Sequence, residues 1–245
     1  MCTVSWLPGP GGYLLCFNRD ENRARRPGLS PSLIRITGID ILAPTDADAG
    51  GTWIGVNSAG VTVCLANLYA QTSPPPTAPV SRGVLVRQLI TLPDLGRVEE
   101  ALTSISLDVY PPFVLVTVAP GSPARIWSWN GVRRQARTQS EPGLLVTSSA
   151  VDQPGVEAVR RRQFDQLTES GGLSPASLTA LHQSHTPVRG GHSICMHRTD
   201  AQTVSLTRVE VTTDTIAMAY SDGSPCHTPL AAPLMAMRQS LRSRD

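Results

Sequence analysis

The chain has 245 residues, 40% of them hydrophobic and 16% charged, with a formal net charge of +2. That length can bury a substantial core without disulfides or a structural metal, and so small a charge argues against a nucleic-acid partner. Lysine is absent, so every basic side chain other than histidine is arginine, and Schiff-base or Walker-type lysine chemistry is excluded.

Taken in chain order, residues 3–7 read as a short strand, 8–12 (Pro-Gly-Pro-Gly-Gly) as a turn and 13–18 as a second strand, together a hairpin. Residues 23–31 read as a basic, proline-containing loop and 33–36 as a further strand. Residues 50–57 and 61–68 predict a second hairpin turned at Asn57-Ser58-Ala59-Gly60, and 73–79, with its run of prolines, an exposed loop. Ser81 and Asp94 can each cap a helix, with Val84, Leu85, Gln88 and Leu89 at helical spacing in the first and Val98, Ala101, Leu102 and Ile105 in the second. Strands are expected at 113–118, 125–129 and 144–147, helices at 155–167 and 174–182, and closing strands at 193–197, 203–211 and 215–220. Residues 229–242 read as an amphipathic helix or a frayed end. Hairpin-linked strands with helices gathered in the middle argue for an α+β fold, taken as one domain over 1–245 with 229–245 frayed.

The five cysteines are odd in number and widely spaced, as expected of small buried hydrophobes in a reducing compartment. The N-terminus lacks an uninterrupted apolar signal segment, and no run approaches the roughly eighteen apolar residues of a membrane span. The expected location is cytoplasmic, and the oligomeric state is left open.

Cys2 is the first candidate for chemistry. Removal of Met1 would expose a thiol and a free α-amine on one residue, and an amine with an unperturbed pKa of roughly 7.7–8.0 can accept the thiol proton. Asn18-Arg19-Asp20-Glu21 follows an apolar strand that, paired with the first, ends near the terminus. An Arg there can stabilise a thiolate and a carboxylate can hold the amine. Because neighbouring strand residues point to opposite faces, Arg19 and Asp20 share a site only if the strand ends or bulges. Asn67, closing another apolar strand, can donate to an oxyanion.

Met-Cys-Thr at the start, Phe-Asn-Arg-Asp-Glu at 17–21, Gly-Gly-Thr-Trp-Ile-Gly-Val-Asn at 50–57, Leu-Ala-Asn at 65–67 and Ser-Arg-Gly at 81–83 together resemble the NRDE family, which includes the transport and Golgi organisation protein 2 homologues. Ser193-Ile194-Cys195 and residues 203–211 echo it more weakly. The resemblance implies a four-layer αββα sandwich of N-terminal nucleophile hydrolase type, similar to cysteine amidases such as penicillin V acylase and bile salt hydrolase. It implies Cys2 as nucleophile and base, with Arg19 and Asp20 flanking it and Asn67 at the oxyanion. Asn18, Ser149 and Arg162 are then expected at the substrate, a small-molecule amide. Two departures stand out. The amidases separate their Arg and Asp by two residues, and Ser148-Ser149 stands where the family often has Asn. The alternative is a non-catalytic haem, lipid or small-molecule carrier on the same fold, for which Cys195-Met196-His197 and Cys226-His227 offer soft ligands. Their spacing matches no standard zinc pattern, so neither a metal nor a cofactor is expected. A papain-like pair of Cys195 or Cys226 with His185 or His192 has no local signature behind it.

Overall fold

The computed structural model describes residues 2–69 and 76–239. Its strands are β1 (Cys2–Gly9), β2 (Gly12–Asn22), β3 (Leu29–Ile36), β4 (Ile39–Thr45), β5 (Ile54–Asn57), β6 (Thr62–Asn67), β7 (Phe113–Val118), β8 (Ala124–Trp129), β9 (Arg134–Gln139), β10 (Gly143–Ser148), β11 (Ala201–Val211), β12 (Thr215–Asp222) and β13 (Leu234–Met237). The helices are α1 (Arg82–Leu89), α2 (Leu95–Ser104), α3 (Gln153–Glu169) and α4 (Pro175–Gln183). One sheet runs β10-β1-β2-β11-β12-β13 and the other β3-β4-β5-β6-β7-β8-β9, and the pairings within them are antiparallel.

Alternation along the strands sends apolar side chains to both faces of each sheet, which is what a four-layer stack needs. Val4, Trp6, Leu15 and Phe17 meet Ile54, Val56, Val116 and Ile126 between the sheets. Val63, Leu65 and Leu115 pack outward on Leu85 and Leu89 of α1 and Val98 and Leu102 of α2. Leu14, Cys16 and Leu206 pack outward on Phe164 of α3 and Leu178 and Leu181 of α4. The order is therefore helices, sheet, sheet, helices, the αββα sandwich expected from the sequence.

Local chemistry sets several element ends. Asp94 accepts from the Arg97 backbone N–H at 2.8 Å, and Ser174 opens α4 with a reciprocal capping box. Ser81 stands at the N-cap of α1 but makes no side-chain cap bond. Asn57 Oδ1 accepts from the backbone N–H groups of Ala59 and Val61, and its amide donates to the Ile90 and Leu92 carbonyls at the end of α1. One side chain thus forms the β5–β6 turn and ties α1 to it.

The structure corrects four expectations. Residues 193–197 form no strand, because β11 already pairs with β2 and β12 on its two edges and the segment closes on itself, Ser193 Oγ donating to the Gly190 and Cys195 carbonyls. Residues 234–237 add a strand to the free edge of β12 instead of a helix. The end beyond 239, like residues 70–75 of the proline loop, lies outside the described residues. β4 went unforeseen because Asp40 and Pro44 break its apolar run. β9, exposed along most of its length, has no alternation to read and forms as the edge partner of β8.

Candidate functional site

Cys2 opens β1 between two neighbours, opposite Arg19 on β2 and Ser148 on β10. Its backbone N–H donates to Ser148 Oγ at 3.0 Å. The thiol is almost wholly buried. Burial pushes its pKa up and the Asp20 charge adds to this, while the Asp20 backbone N–H and the Arg19 guanidinium favour the thiolate. The cysteine borders a cleft of about 280 Å³ at one end of the sandwich, whose lining includes Arg19, Asp20, Asn67, Trp53 and Arg82. The four residues expected to be catalytic, Cys2, Arg19, Asp20 and Asn67, therefore all border one cleft.

The Asn-Arg-Asp-Glu run stays in strand β2 through Asn22, and pleating distributes it over two faces. Arg19 lies on the Cys2 side. Its guanidinium stacks 4.3 Å from the Trp53 ring centre and reaches Glu21 at 3.2 Å and Asp46 at 3.4 Å, which fixes it beside the thiol. The Asp20 carboxylate goes the other way, beneath the helices. It accepts from Thr203 Oγ1 at 2.6 Å and faces the guanidinium of Arg160 at 3.6 Å, both side chains fully buried. A register shift in β11 between Thr203 and Ser205 lies opposite this point. So the two residues do not share a face, and Asp20 meets the cleft through its backbone.

Two glycine motifs come together to close the wall. A Cβ on Gly51 would lie 2.5 Å from the Gly83 backbone, and Thr52 donates to the Gly83 carbonyl at 3.2 Å. Gly-Gly-Thr-Trp and Ser-Arg-Gly are therefore one packed junction, which sets Trp53 and Arg82 at the cleft.

Three expected substrate contacts lie elsewhere. Asn18 is buried on the helical face, donating to the His182 and Ile194 carbonyls at 2.8 and 3.1 Å. Ser149 turns into the α3 entry, its backbone N–H donating to Gln153 Oε1 at 2.5 Å and its hydroxyl bonded to the Val151 carbonyl. Arg162 is exposed on α3. The arginine that faces inward is Arg160, which also donates to Thr3, Thr147 and the His192 carbonyl. Helical spacing could have found it, since Val156, Arg160, Gln163 and Phe164 form one buried stripe. Ser148, the Cys2 neighbour that sequence reasoning passed over for Ser149, required the β1–β10 register. The arginines of the 23–31 loop are largely neutralised, Arg25 by Asp46 at 2.7 Å and Arg26 by Asp48 at 2.5 Å.

Asn18 belongs to a second buried network. With its amide donating to carbonyls, its Oδ1 faces His182 Nδ1 at 3.0 Å, and His182 Nε2 meets Ser5 Oγ at 2.6 Å. Nδ1 then carries the proton and Nε2 accepts from the Ser5 hydroxyl. Burial, with the charge of Arg160 adding to it, holds this ring down at about 3. An unfolded histidine near 6.5 binds a proton that the folded one refuses, so this contribution is complete above pH 6.5 and is lost as pH falls toward 3. Urea melts should show about 2 kcal/mol lost from this group between pH 6.5 and 5. His182→Gln should flatten that slope, and an unchanged slope would remove the assignment.

The comparisons with known proteins agree on fold. A family model described as Transport and Golgi organisation 2 matches residues 1–213. No curated protein sequence matches the chain. Among solved structures, the conjugated bile acid hydrolase of Clostridium perfringens aligns with TM-score 0.61 at 9% identity, covering 100% of both chains. The N-acylethanolamine-hydrolyzing acid amidase orthologue of Caenorhabditis elegans gives 0.61 at 11% identity, over 85% of this chain and 92% of its own. Penicillin V acylase from Agrobacterium tumefaciens gives 0.54 at 11%, over 89% and 82%. These likenesses establish the N-terminal nucleophile hydrolase fold. Among the described residues no helix is long and apolar enough to cross a membrane.

Proposed function

Because the chain belongs to the Transport and Golgi organisation 2 family and has this hydrolase fold, we propose that it is a cysteine amidase cleaving non-peptide C–N amide bonds through a thioester at Cys2. The observation that carries the reading is the convergence of the Cys2 thiol, its backbone nitrogen on Ser148, the clamped Arg19 and Asn67 on one cleft. The names of the three aligned proteins, a bile acid hydrolase, a penicillin acylase and an acid amidase, support the reaction class.

With Met1 removed, the Cys2 nitrogen is an amine held by the Ser148 hydroxyl. It takes the thiol proton, offsetting the burial that otherwise keeps the sulfur neutral. The sulfur attacks the amide carbon, and the oxyanion that forms receives the Asn67 amide N–H. The ammonium then protonates the leaving nitrogen as the C–N bond breaks, leaving a thioester and a free amine. Water, deprotonated by the same amine, attacks the thioester carbon and releases the carboxylic acid and the thiol. Arg19, favouring the thiolate, lowers the cost of the first step.

The deciding test is the intact mass and N-terminal peptide of the purified protein, before and after reaction with an activated acyl donor. The expected result is loss of Met1, a free amine on Cys2 and one acyl group on its sulfur. Retained Met1, an acetylated amine or acylation elsewhere would end the nucleophile reading and favour a binding protein. Arg82 is half-buried at the cleft, donating to the Pro112 carbonyl at 2.8 Å, and it is the cation there that we assign to an anionic acyl group. Arg82→Gln should raise KM for an anionic substrate by about tenfold with little change in kcat. Equal loss on neutral and anionic substrates would show that Arg82 only supports the wall.

A further inference from the structure

On the far side of Asp20, four ligand-type side chains converge. His185, Cys195, His197 and Cys226 each place one ligand atom within 4.8 Å of the other three. They come from the loop that follows α4 and from the turn after β12. The sequence separates them by nine, one and twenty-eight intervening residues, so no local motif announces them. The fold brings in His185 and leaves His227, the histidine that adjoins Cys226 in sequence, at the margin, its ring centre 6.4 Å from that of His197.

We propose that these four residues form a zinc(II) site of two thiolates and two imidazoles, clipping the loop after α4 to the turn after β12. The edges already formed have the right length. His197 Nε2 lies 3.5 Å from Cys195 Sγ and 3.4 Å from Cys226 Sγ. A tetrahedron with metal–sulfur bonds of about 2.3 Å and metal–nitrogen bonds of about 2.05 Å has a nitrogen–sulfur edge of about 3.5 Å. The remaining separations, all within 4.8 Å, must close to the tetrahedral edges of about 3.3 Å between nitrogens and about 3.8 Å between sulfurs. Small rotamer changes can supply this, because His185, His197 and Cys226 are only partly buried. Two sulfur and two nitrogen donors in a tetrahedron select zinc over calcium or magnesium, which take oxygen.

The surroundings fit such an ion. His185 Nε2 is buried without a hydrogen-bond partner among the described residues, and a metal bound through it would supply one. His197 also lines a surface opening with Arg23, Arg189 and Arg198. With two thiolates the filled site is neutral, and filling it releases the two thiol protons to solvent. Arg189 Nη2 sits 3.4 Å from His197 Nδ1 and must move aside for that nitrogen to carry the proton.

The loop is already held by its backbone, Cys195 N–H donating to the Ser184 carbonyl and His197 N–H to the Gly190 carbonyl, each at 3.0 Å. It offers the His192 carbonyl to Arg160 and the Met196 N–H to Thr203 Oγ1, the hydroxyl that holds Asp20. A metal here would brace the residues behind Cys2 without touching the cleft.

Titrating reduced full-length protein with cobalt(II) chloride tests this. The expected spectrum has tetrahedral visible bands and a thiolate-to-cobalt charge-transfer band, both saturating at one equivalent and reversed by zinc chloride. Zinc at a hundredfold excess over Kd should raise Tm by about 5–10 °C. Cys195→Ser and Cys226→Ser should each abolish the charge-transfer band, His197→Gln should weaken cobalt binding at least tenfold, and Cys2→Ala should leave it intact. Octahedral cobalt bands only, a signal surviving both serine variants, or one lost in Cys2→Ala would overturn the proposal. So would a Cys195–Cys226 disulfide that persists under reductant. The wild-type spectrum decides by itself if the serine variants do not fold.

Discussion

Cys2→Ala should lower amide hydrolysis by at least about 10⁴-fold, on the scale seen when a catalytic nucleophile is removed. Its stability should change little, since truncation removes a single sulfur at the edge of the core. Cys2 pairs on both sides, with Arg19 and Ser148, and alanine keeps that backbone ladder. Two companions separate nucleophile from surroundings. Asn67→Ala should cost about 10²–10³-fold in kcat if its amide meets the oxyanion, with KM nearly unchanged. Blocking the α-amine by retaining Met1 should cost as much as losing the thiol, because base and nucleophile are then the same residue. Measured kcat and kcat/KM on a chromogenic acyl amide would check all three. Turnover that persists in Cys2→Ala would move the chemistry away from this cleft.

The second large effect concerns stability. Arg160→Met should lower the unfolding free energy by about 3–5 kcal/mol, because the Asp20 carboxylate would be left buried without its counter-charge. Burial alone works against the Arg160 charge, and the carboxylate 3.6 Å away with the Thr3, Thr147 and His192 oxygens offsets that cost. Combining Asp20→Asn with Arg160→Met removes both charges and should recover much of the loss. Urea denaturation of the wild type, both single variants and the double variant reads the coupling directly. Strictly additive losses would mean that the two groups do not act as a pair. Since Arg160 braces Asp20 from the helical side, the single variant should also lower kcat more than it raises KM.

Much of this architecture is legible from local chemistry. Alternating apolar residues called β1, β2, β5 to β8 and β10 to β12, and Asp94 and Ser174 marked helix starts that their cap bonds confirm. The Asn57 turn was visible because Asn and Gly occupy the positions that need local hydrogen bonding and, at Gly60, a positive φ. The motifs that resemble the NRDE family pointed to Cys2, Arg19, Asp20 and Asn67, and the fold gathers these four. Periodicity failed where an element exists only through its neighbour: β9 and β13 are edge strands recruited by β8 and β12, and 193–197 meet a β11 whose two edges are already paired with β2 and β12.

The sequence by itself determined which residue types could do chemistry and that Cys2 led them, since motif order, turn chemistry and period are properties of neighbours along the chain. Tertiary structure alone decided how those residues divide their work. Pleating put Arg19 over Trp53 beside the thiol and sent Asp20 under the helices to Arg160. The β1–β10 register chose Ser148 over Ser149, and the stripe on α3 chose Arg160 over Arg162. Packing of two distant loops brought His185 and Cys226 to Cys195 and His197. In each case the deciding interaction joins segments far apart in the chain, and its geometry exists only once the sheets have paired and the helices have covered them.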